Sequence, residues 1–492
     1  MRLMTSPDHV ALAARIADLQ TAKVVCVGDV MLDRFVYGEV SRVSPEAPIP
    51  VCRVMNETAM LGGAGNVVRN LVSAGASVAL ISVTGDDDIA RDVDLLLRDL
   101  AGVTPTLIQE KDRPTTSKIR YVAGGQQLLR ADREVTTPIT DDVADAVFRA
   151  AEMALKDAGV LIVSDYGKGV VTDALVARLI AAANTAGKPV IVDPKSRDFT
   201  RYAGASLITP NLKELSEAAE GELSSEENIV DAARGLLAGA QIGSMLVTRG
   251  AQGMSLVTAD TADHFPSRAR EVFDVSGAGD TVLALLAAGI AAGVPTLEAA
   301  QLANVAAGVV VGKTGTAVVY ADDLLEELND MAGHTGPQPP LRLDVALDRI
   351  RTWKDRGEKI GFTNGCFDLL HPGHVSLLAS ARSTCDRLVV GLNSDASVKR
   401  LKGENRPMQN EAARAAVLSS LETVDLVVIF DEDTPEVLLH EVRPDVLVKG
   451  ADYTVETVVG ADLVQSYGGK VVLAEIVEGF STTATIARMN AS

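Results

Sequence analysis

The sequence has few cysteines and a deficit of positive charge. Its four cysteines, Cys26, Cys52, Cys366 and Cys385, are scattered over 492 residues with no Cys-x-x-Cys spacing. This distribution argues against a zinc site and against a disulfide scaffold, and it fits a reducing compartment. The 46 Lys and Arg residues are outnumbered by 66 Asp and Glu residues, giving a net charge of -20. A surface for nucleic acid or anionic membranes is therefore not expected, because it needs clustered cations.

Long apolar runs are also missing. The longest, Thr281 to Val294, is too short and too interrupted by glycine to span a bilayer. The first twenty residues lack the apolar segment of a signal peptide and predict an amphipathic helix with Leu12, Ile16 and Leu19 on one face. We therefore expect a cytoplasmic protein that binds neither nucleic acid nor membrane.

The length of the chain and one Gly- and Pro-rich segment predict two domains. A chain of 492 residues is too long for one ordinary core. Residues 331–343, rich in Gly and Pro, form a predicted linker between a domain at 1–330 and a domain at 344–492. Both domains alternate strands with helices, which predicts α/β folds with mostly parallel sheets. One strand is predicted over Lys23 to Leu32, and the Pro-rich stretch from Gly38 to Arg53 suits edge strands or a lid.

A glycine turn marks a candidate phosphate site in the first domain. The segment "DVSGAGDT" places Gly277 and Gly279 before a helix predicted to begin near Asp280. Backbone N–H groups at such a turn, together with the helix dipole, can bind an anion. Asp280 would then take a proton from a hydroxyl that attacks a phosphoryl group. The structural alternative is a glycine turn with Asp280 serving only as the N-cap, and the turn alone leaves both open.

Four further segments lie at strand ends or in loops: "GGAGNV" (62–67), "VDPK" (192–195), "TPNLKE" (209–214) and "VTRGAQG" (247–253). With them, the first domain resembles the ribokinase (PfkB) family of sugar kinases, whose two signatures match at "GGAGN" and "DVSGAGD". The resemblance implies a ribokinase-like doubly wound sheet with a small β lid. It also implies transfer of the γ-phosphate of ATP to a sugar hydroxyl.

The same resemblance implies roles for individual residues. Asp280 would be the base, and the backbone amides of Gly277, Ala278 and Gly279 would form the anion hole. The residues implied for ATP binding are Asn211, Leu212, Lys213, Glu214, Thr248, Arg249 and Gly250. Those implied for the sugar are Asp33, Gly62, Gly63 and Asn66.

Two histidines three residues apart mark a second candidate site. His371 and His374 flank Pro372-Gly373. A metal pair would need a third ligand nearby and is not favoured by a loop spacing. A core position is disfavoured by the turn. In a third interpretation, imidazoles at a helix N-terminus bind phosphate oxygens and stabilise charge on a leaving pyrophosphate.

The order of strand, "CFDLLHPGH" and a helix predicted from His374 resembles the cytidylyltransferase-like family of nucleotidyltransferases, which carry an H-x-G-H motif. The resemblance implies a Rossmann-like α/β domain in which a phosphate oxygen attacks the α-phosphate of a nucleoside triphosphate. Besides the catalytic histidines, the residues implied for nucleotide binding are Phe362, Thr363, Asn364, Phe367, Lys402, Arg406, Arg414, Lys449, Gly450, Ser481, Thr482 and Thr483. For the three cations from 402 to 414 the alternative is a solvated helix face, and for Ser481 to Thr483 it is a helix cap.

A sugar kinase fused to a nucleotidyltransferase, with segments such as "VSPEAPIPV", "SDYGKGV" and "TNGCFDLLHPGH", resembles the bifunctional enzymes that make ADP-heptose for lipopolysaccharide. The resemblance implies ATP and heptose phosphates as substrates, with Mg²⁺ accompanying ATP, and leaves open a monovalent cation in the kinase domain. It also implies a homodimer through the kinase domain and a separate heptose-bisphosphate phosphatase that acts between the two steps.

Two alternatives remain at this stage. One is a kinase for another phosphosugar fused to a CTP-dependent cytidylyltransferase, because the motifs do not set the nucleotide. The other is a non-catalytic nucleotide sensor or scaffold, which the presence of Asp280, His371 and His374 disfavours.

Overall fold

The chain divides into two compact units, Met1–Ala332 and Gly333–Ser492. A computed structural model describes residues 9–267, 275–313, 317–331, 342–355, 357–421, 423–450, 454 and 457–474. Most of the predicted linker, and the predicted nucleotide-binding residues Ser481, Thr482 and Thr483, lie outside the described residues.

The first unit contains two sheets. Its strands are β1 (Lys23–Gly28), β2 (Val30–Val43), β3 (Pro50–Gly63), β4 (Ser77–Thr84), β5 (Val103–Gln109), β6 (Ser117–Ala123), β7 (Gln126–Arg133), β8 (Val160–Ser164), β9 (Val190–Asp193), β10 (Leu207–Ile208), β11 (Ser244–Thr248), β12 (Met254–Thr258) and β13 (Ala262–Phe265). Nine of them form one sheet in the order β13-β12-β11-β10-β9-β8-β1-β4-β5. All neighbours in this sheet are parallel except at β12 and β13, which pair antiparallel.

The other four strands form a small separate sheet in the order β3-β2-β6-β7. It includes the Pro-rich stretch that the sequence assigns to edge strands or a lid, and β3 is indeed an edge. The sequence predicts one strand from Lys23 to Leu32, and this prediction is wrong. The strand breaks at Asp29, since β1 pairs with β4 and β8 in the large sheet whereas β2 pairs with β3 and β6 in the small one.

The helices of the first unit are α1 (His9–Ile16), α2 (Ala64–Ser73), α3 (Asp88–Arg98), α4 (Asp141–Leu155), α5 (Asp173–Thr185), α6 (Leu212–Ala218), α7 (Glu226–Ala240), α8 (Ala278–Ala291), α9 (Thr296–Val311) and α10 (Ala321–Met331). Polar N-caps begin several of them; the Asp87 side chain, for example, accepts a hydrogen bond from Ala90 N. α8 is apolar around most of its circumference and is buried from Asp280 to Gly289.

The core lies on both faces of the large sheet. Alternate residues of β1 show this, because Val24 and Cys26 belong to one buried cluster while Val25 and Val27 belong to another. The predicted N-terminal helix forms, with Leu12 and Ile16 buried on one face, and a following 3-10 turn buries Leu19. This two-sided burial holds the carboxyl ends of the parallel strands in a fixed row.

The second unit is a five-stranded, fully parallel sheet in the order β16-β15-β14-β17-β18. Its strands are β14 (Ile360–Gly365), β15 (Arg387–Asn393), β16 (Leu426–Phe430), β17 (Val446–Gly450) and β18 (Lys470–Ala474). Its helices are α11 (Leu343–Asp355), α12 (Pro372–Arg382), α13 (Asp395–Lys402), α14 (Glu411–Ser419), α15 (Glu436–Val442) and α16 (Ala461–Ser466). Across the described residues of both units, no helix has the length and hydropathy needed to cross a membrane.

Candidate active sites

Asp280 lies in the first turn of α8, at the floor of a cleft in the first unit. The N-cap of α8 is Gly277, whose φ of 80° is in the left-handed region that glycine adopts freely. Asp280 is therefore the third residue of the helix, and the interpretation of Asp280 as a simple N-cap does not hold. Its side chain is buried, with 7% of the residue exposed.

The cleft has a volume of about 220 Å³ and brings together residues from four strand ends and two helix starts. Six of its lining residues are among those predicted from the sequence: Asn211, Glu214, Thr248, Gly277, Gly279 and Asp280. The other lining residues are Asp165, Tyr166, Asp193, Pro194, Lys195 and Thr209. The cleft lies at the carboxyl ends of β8 to β11, where ligands bind in open α/β sheets.

Both oxygens of Asp280 accept hydrogen bonds. Asn66 Nδ2 donates to Oδ2 at 2.7 Å, and the Tyr166 hydroxyl donates to Oδ1. Burial raises the pKa of Asp280 to about 6; these two donors oppose the rise and the negative charge of Asp33 adds to it. A carboxylate with a pKa near neutrality is well suited to take a proton from a substrate hydroxyl.

The predicted N-x-x-E element has a structural role as well as a place in the cleft. Asn211 and Glu214 form a capping box at the start of α6, in which each side chain accepts from the other residue's backbone N–H. The second oxygen of Glu214 accepts from Lys195 Nζ at 3.1 Å. One carboxylate thus fixes the helix start and holds a cation at the cleft wall.

Among the residues predicted to hold the sugar, Asp33 pairs with a cation and is closely approached by Gly62. Arg120 Nη1 donates to Asp33 Oδ1 at 2.5 Å. A Cβ on Gly62 would lie 2.1 Å from Asp33 Oδ2, so only glycine leaves that carboxylate its place. Gly63 has a φ of 57°, and its Cβ would lie 2.4 Å from the Asp29 carbonyl oxygen. Asn66, which was expected to contact the sugar, instead donates to Asp280 in this structure.

Five residues predicted for the kinase site do not line this cleft. Arg249 is buried and pairs with Glu226 at 2.8 Å, so its side chain does not line the cleft. Lys213 is exposed beside Glu217, and Leu212 packs on the core. Gly250 and Ala278 are also outside the lining, and the Ala278 amide, expected in the anion hole, donates to the Val275 carbonyl at 3.3 Å.

Sequence reasoning assigned no role to Tyr166, Asp193 or Asp29. Tyr166 and Asp193 follow predicted strands, and that position is the signal that could have found them. Desolvation, and next the charge of Asp280, raise the pKa of Asp193 well above its usual value. Asp29 interrupts an apolar run, yet it is 1% exposed and accepts backbone N–H groups from the loop after β8.

The two histidines of the second unit stack on each other. Their ring centroids are 3.8 Å apart with an interplanar angle of 17°. α12 begins at Pro372, two residues before the predicted start, because Pro suits the first helical position and His371 is the N-cap. The Phe367 ring lies 5.1 Å from His374 and closes one side of the pair.

Burial keeps the histidine pair uncharged near neutral pH. It lowers the pKa of His371, and together with the charges of His371 and Lys402 it lowers the pKa of His374 to about 4. Within the described part of the chain, no group of three His, Cys, Asp or Glu side chains is close enough to hold a metal ion. The charge of an anionic ligand at the start of α12 would offset this desolvation penalty and favour protonation.

Two predicted cations of the second unit are held in place by hydrogen bonds to other residues. Arg406 Nε donates to the buried Asp368 at 2.5 Å, while Arg406 Nη2 is buried and has no hydrogen-bond partner among the described residues. Lys449 Nζ donates to the side-chain oxygen of Asn364 at 2.6 Å, which joins the ends of β17 and β14. A guanidinium with an unused donor can bind an incoming phosphate oxygen.

Four other residues predicted to bind the nucleotide are buried in this structure. Phe362 is fully buried, and its ring fills the space that a side chain on Gly391 would need. Arg414 was weighed between a phosphate contact and a solvated helix face, yet its side chain is fully enclosed. Its donors are taken by Cys366 O at 2.6 Å and Asp395 Oδ1 at 2.7 Å. Thr363 and Gly450 are also buried, whereas Lys402 is exposed and its charge acts on His374.

Two known protein families match the two halves of the chain. The pfkB family of carbohydrate kinases matches residues 21–322, and the cytidylyltransferase-like family matches residues 362–488. The first unit is also similar in fold to ribokinase from Arabidopsis thaliana, with a TM-score of 0.50 and 20% identity, covering 62% of this chain and 98% of that one. Phosphofructokinase-2 from Escherichia coli, in complex with substrates and products, gives a TM-score of 0.53 and 20% identity over 63% and 99% of the two chains. The chain is therefore a carbohydrate kinase of the pfkB family joined to a cytidylyltransferase-like nucleotidyltransferase.

Relatives that carry both halves narrow this class. The bifunctional protein HldE of Paramagnetospirillum magneticum is 57% identical over 98% of this chain and 99% of its own length. HldE of Acidiphilium cryptum is 53% identical over 99% of this chain and 100% of its own. The chain belongs to the HldE family of bifunctional proteins.

Proposed function

We propose that the first unit transfers the γ-phosphate of ATP to O1 of D-glycero-D-manno-heptose 7-phosphate. The observation that carries this proposal is the placement of Asp280 beside Gly277 and Gly279 in the cleft, next to Asp33. Asp280 takes the proton of the sugar O1 hydroxyl as the bond from O1 to the γ-phosphorus forms, and ADP leaves. The products are ADP and the heptose 1,7-bisphosphate.

We propose that Mg²⁺ accompanies ATP in this cleft. The carboxylates of Glu214 and Asp193 line it, and Mg²⁺ prefers such hard oxygen ligands. The ion would neutralise phosphate charge, and these side chains with Asn211 would hold it. A monovalent cation in the same unit is a further proposal drawn from the resemblance to sugar kinases.

We propose that the second unit joins heptose 1-phosphate to the AMP part of ATP. An oxygen of the sugar phosphate attacks the α-phosphorus, and pyrophosphate leaves along the histidine pair. His371 and His374 at the start of α12, with Arg406, supply donors to the phosphate oxygens. The product is ADP-heptose.

The remaining proposals concern the setting of the enzyme. A separate phosphatase must remove the 7-phosphate between the two steps, because each unit has the residues of a transferase. We also propose that the protein is cytoplasmic and forms a homodimer through the kinase unit. It is proposed to have no nucleic-acid or membrane partner. The net charge of -20 supports the last point. Membership of the HldE family does not favour the alternative, a CTP-dependent enzyme for another phosphosugar.

Phosphorus NMR tests both reactions. The protein is incubated with Mg-ATP and D-glycero-D-manno-heptose 7-phosphate, with and without a heptose-bisphosphate phosphatase. We expect an anomeric phosphate and ADP in both samples, and ADP-heptose with pyrophosphate only when the phosphatase is present. A parallel sample in which CTP replaces ATP checks the nucleotide. No turnover of this sugar by a protein that binds ATP would refute the substrate assignment.

A further inference from the structure

Tyr166 is the residue of the kinase cleft that contacts the proposed base most directly. Its hydroxyl donates to Asp280 Oδ1, while Asn66 donates to Oδ2. The two donors approach from opposite parts of the unit, since Tyr166 follows β8 and Asn66 lies in the first turn of α2. The carboxylate is therefore held at both oxygens before any substrate is bound.

The buried carboxylate of Asp29 fixes the backbone position of Tyr166. Asp29 Oδ2 accepts the backbone N–H groups of Tyr166 at 2.8 Å and Lys168 at 3.1 Å, and Oδ1 accepts that of Val170 at 3.1 Å. Three hydrogen bonds from consecutive parts of one loop to one side chain leave the loop little freedom. The phenol ring is thus aimed at Asp280 by the backbone as well as by its own contact.

Asp29 also fixes the second donor. Its backbone carbonyl accepts the N–H of Ala64 at 3.0 Å, at the first residue of α2. Asn66 is two residues further along that helix. A single residue between β1 and β2 therefore sets the placement of both groups that hold the Asp280 carboxylate.

The electrostatics define which group donates. Burial, and next the negative charge of Asp280, raise the pKa of Tyr166 well above its usual value, so the phenol keeps its proton at every working pH. The hydrogen bond from Tyr166 lowers the pKa of Asp280, against the effect of burial. Tyr166 thus favours the ionised form of the carboxylate without competing with it as a base.

We propose that Tyr166 is a positioning residue of the kinase reaction, which holds the Asp280 carboxylate oriented and ionised to receive the proton of the sugar hydroxyl. In the reaction the hydroxyl proton passes to Asp280, the new O–P bond forms and the bond to ADP breaks, and Tyr166 keeps its own proton throughout. This inference rests on the proposed phosphorylation of heptose 7-phosphate.

The test is the pH profile of the Tyr166→Phe variant of the full chain. Loss of a hydrogen bond to a charged group is worth about 1.5–3 kcal/mol, so the acid limb of kcat/KM for the sugar should move up by about one to two pH units. The loss of activity should accordingly be larger at pH 6 than at pH 9. The phosphates of both substrates titrate in this range, so the shift is measured against the wild-type profile.

Tyr202→Phe is the matched control. Tyr202 is fully buried in the same unit, and its hydroxyl donates to Asp165 Oδ2 at 2.7 Å instead of to Asp280. Its acid limb should coincide with that of wild type. An unmoved acid limb in Tyr166→Phe, or a loss of equal size at all pH values in both variants, would overturn the inference. Absence of heptose 7-phosphate turnover in the wild-type protein would instead refute the proposed function.

A stability cycle tests the contact without turnover. Thermal unfolding of wild type, Tyr166→Phe, Asp280→Asn and the double variant gives the coupling between the two side chains. We expect Tyr166→Phe to lower Tm above pH 6 when Asp280 is present, and to lower it much less in the Asp280→Asn background. Equal losses in the two backgrounds would contradict the proposed role, even if Tyr166→Phe proved too unstable for kinetics.

Discussion

Asp280 is buried, and it has to lose its proton to act as a base. Its pKa of about 6 lies above the usual value of 3.8, so ionisation opposes folding. Below pH 4 the side chain is protonated in the folded and unfolded states and this penalty is absent. The penalty grows as the pH rises and is complete above pH 6, where a shift of about two units amounts to about 3 kcal/mol.

The first prediction at the residue scale follows from this penalty. Asp280→Asn should abolish phosphorylation of the sugar, and should raise the Tm of the kinase unit at pH 8 by more than at pH 5. Removal of the charge relieves the penalty only where wild type is ionised. Differential scanning calorimetry at the two pH values checks this, with adenylyl transfer as the control for an intact second unit. A lower Tm of Asp280→Asn at pH 8 would contradict the conclusion that ionisation of the buried carboxylate opposes folding.

The histidine pair supports a second prediction. Because burial lowers the pKa of His374 to about 4, binding of a triphosphate beside it should take up protons at pH 6.5. Affinity should therefore weaken as the pH rises through the pKa of the bound state. Isothermal titration with a non-hydrolysable ATP analogue and Mg²⁺, in buffers of different ionisation enthalpy, measures this uptake. The kinase cleft contributes equally to every variant, so differences between variants belong to the second unit.

His374→Gln should reduce this uptake and slow adenylyl transfer by about 10²–10³-fold while sparing the kinase, because one donor to the negative charge of the transition state is lost. His440→Gln is the control, since His440 belongs to α15 outside the H-x-G-H segment. Identical proton uptake in wild type and His374→Gln would refute the role of this ring.

At the scale of one residue, the sequence predicted several residues of the kinase cleft. It was a poorer guide to the surroundings of each side chain. Asp280, Glu214 and Thr248 lie in one cleft as the motifs indicated. Arg414 could not be assigned correctly, because a single charged residue on a helix gives no sign that it will be fully enclosed by neighbours distant in sequence. Tyr166 was missed for the same reason, since its partner is 114 residues away.

Among the secondary-structure elements, the strand ends of the first unit depend on glycine at specific points. Gly62, near the end of β3, faces Met31 in the pairing of β2 with β3, and a Cβ there would lie 2.1 Å from Asp33. Displacement of that carboxylate would also break its pairing with Arg120 at 2.5 Å. The glycine is required by this side-chain contact, since its φ is not in the left-handed region.

We therefore expect Gly62→Ala to raise KM for the sugar by about 10- to 100-fold, since a hydrogen bond to a charged group is worth about 1.5–3 kcal/mol. Steady-state kinetics of the kinase measure this, with KM for ATP much less affected. Gly235→Ala is the matched control in α7, where an added Cβ meets no atom within 4 Å. That change should leave the kinetics intact and stabilise the helix by about 0.5–1 kcal/mol. Equal sugar KM values for both variants would contradict the role of Gly62.

Element types and order could largely be predicted, because the apolar alternation of buried strands and the helix caps are local signals. The break between β1 and β2 could not. Apolar residues continue on both sides of Asp29, and only the pairing of β1 with β8 and of β2 with β6 separates the two strands. Pairing with distant strands is not encoded in a local pattern.

For the whole molecule, the two sites belong to separate compact units. The Met1–Ala332 unit holds Asp280, and the Gly333–Ser492 unit holds the histidine pair. The proposed pathway also requires a separate phosphatase. The heptose 1,7-bisphosphate made by the first unit therefore has to leave the protein and lose its 7-phosphate before the second unit can use it.

Two inactive variants should therefore complement each other. A mixture of Asp280→Asn and His374→Gln with the phosphatase should make ADP-heptose, whereas Asp280→Asn alone should make none from heptose 7-phosphate. His374→Gln alone should accumulate heptose 1-phosphate and form ADP-heptose about 10²–10³-fold more slowly than wild type. Coupled detection of pyrophosphate measures the rate. Failure of the mixture, with each variant active in its remaining half-reaction, would mean that the intermediate has to stay within one chain.

The single-residue join at Asp29 has a mechanical consequence for the kinase unit. β1 ends at Gly28 and β2 begins at Val30, so Asp29 alone separates a strand of the large sheet from a strand of the small one. The same residue holds the loop of Tyr166 and the start of α2. The junction of the two sheets and the two groups that hold the Asp280 carboxylate therefore depend on the same residue, so a substitution at Asp29 would disturb the sheet junction and the proposed base together.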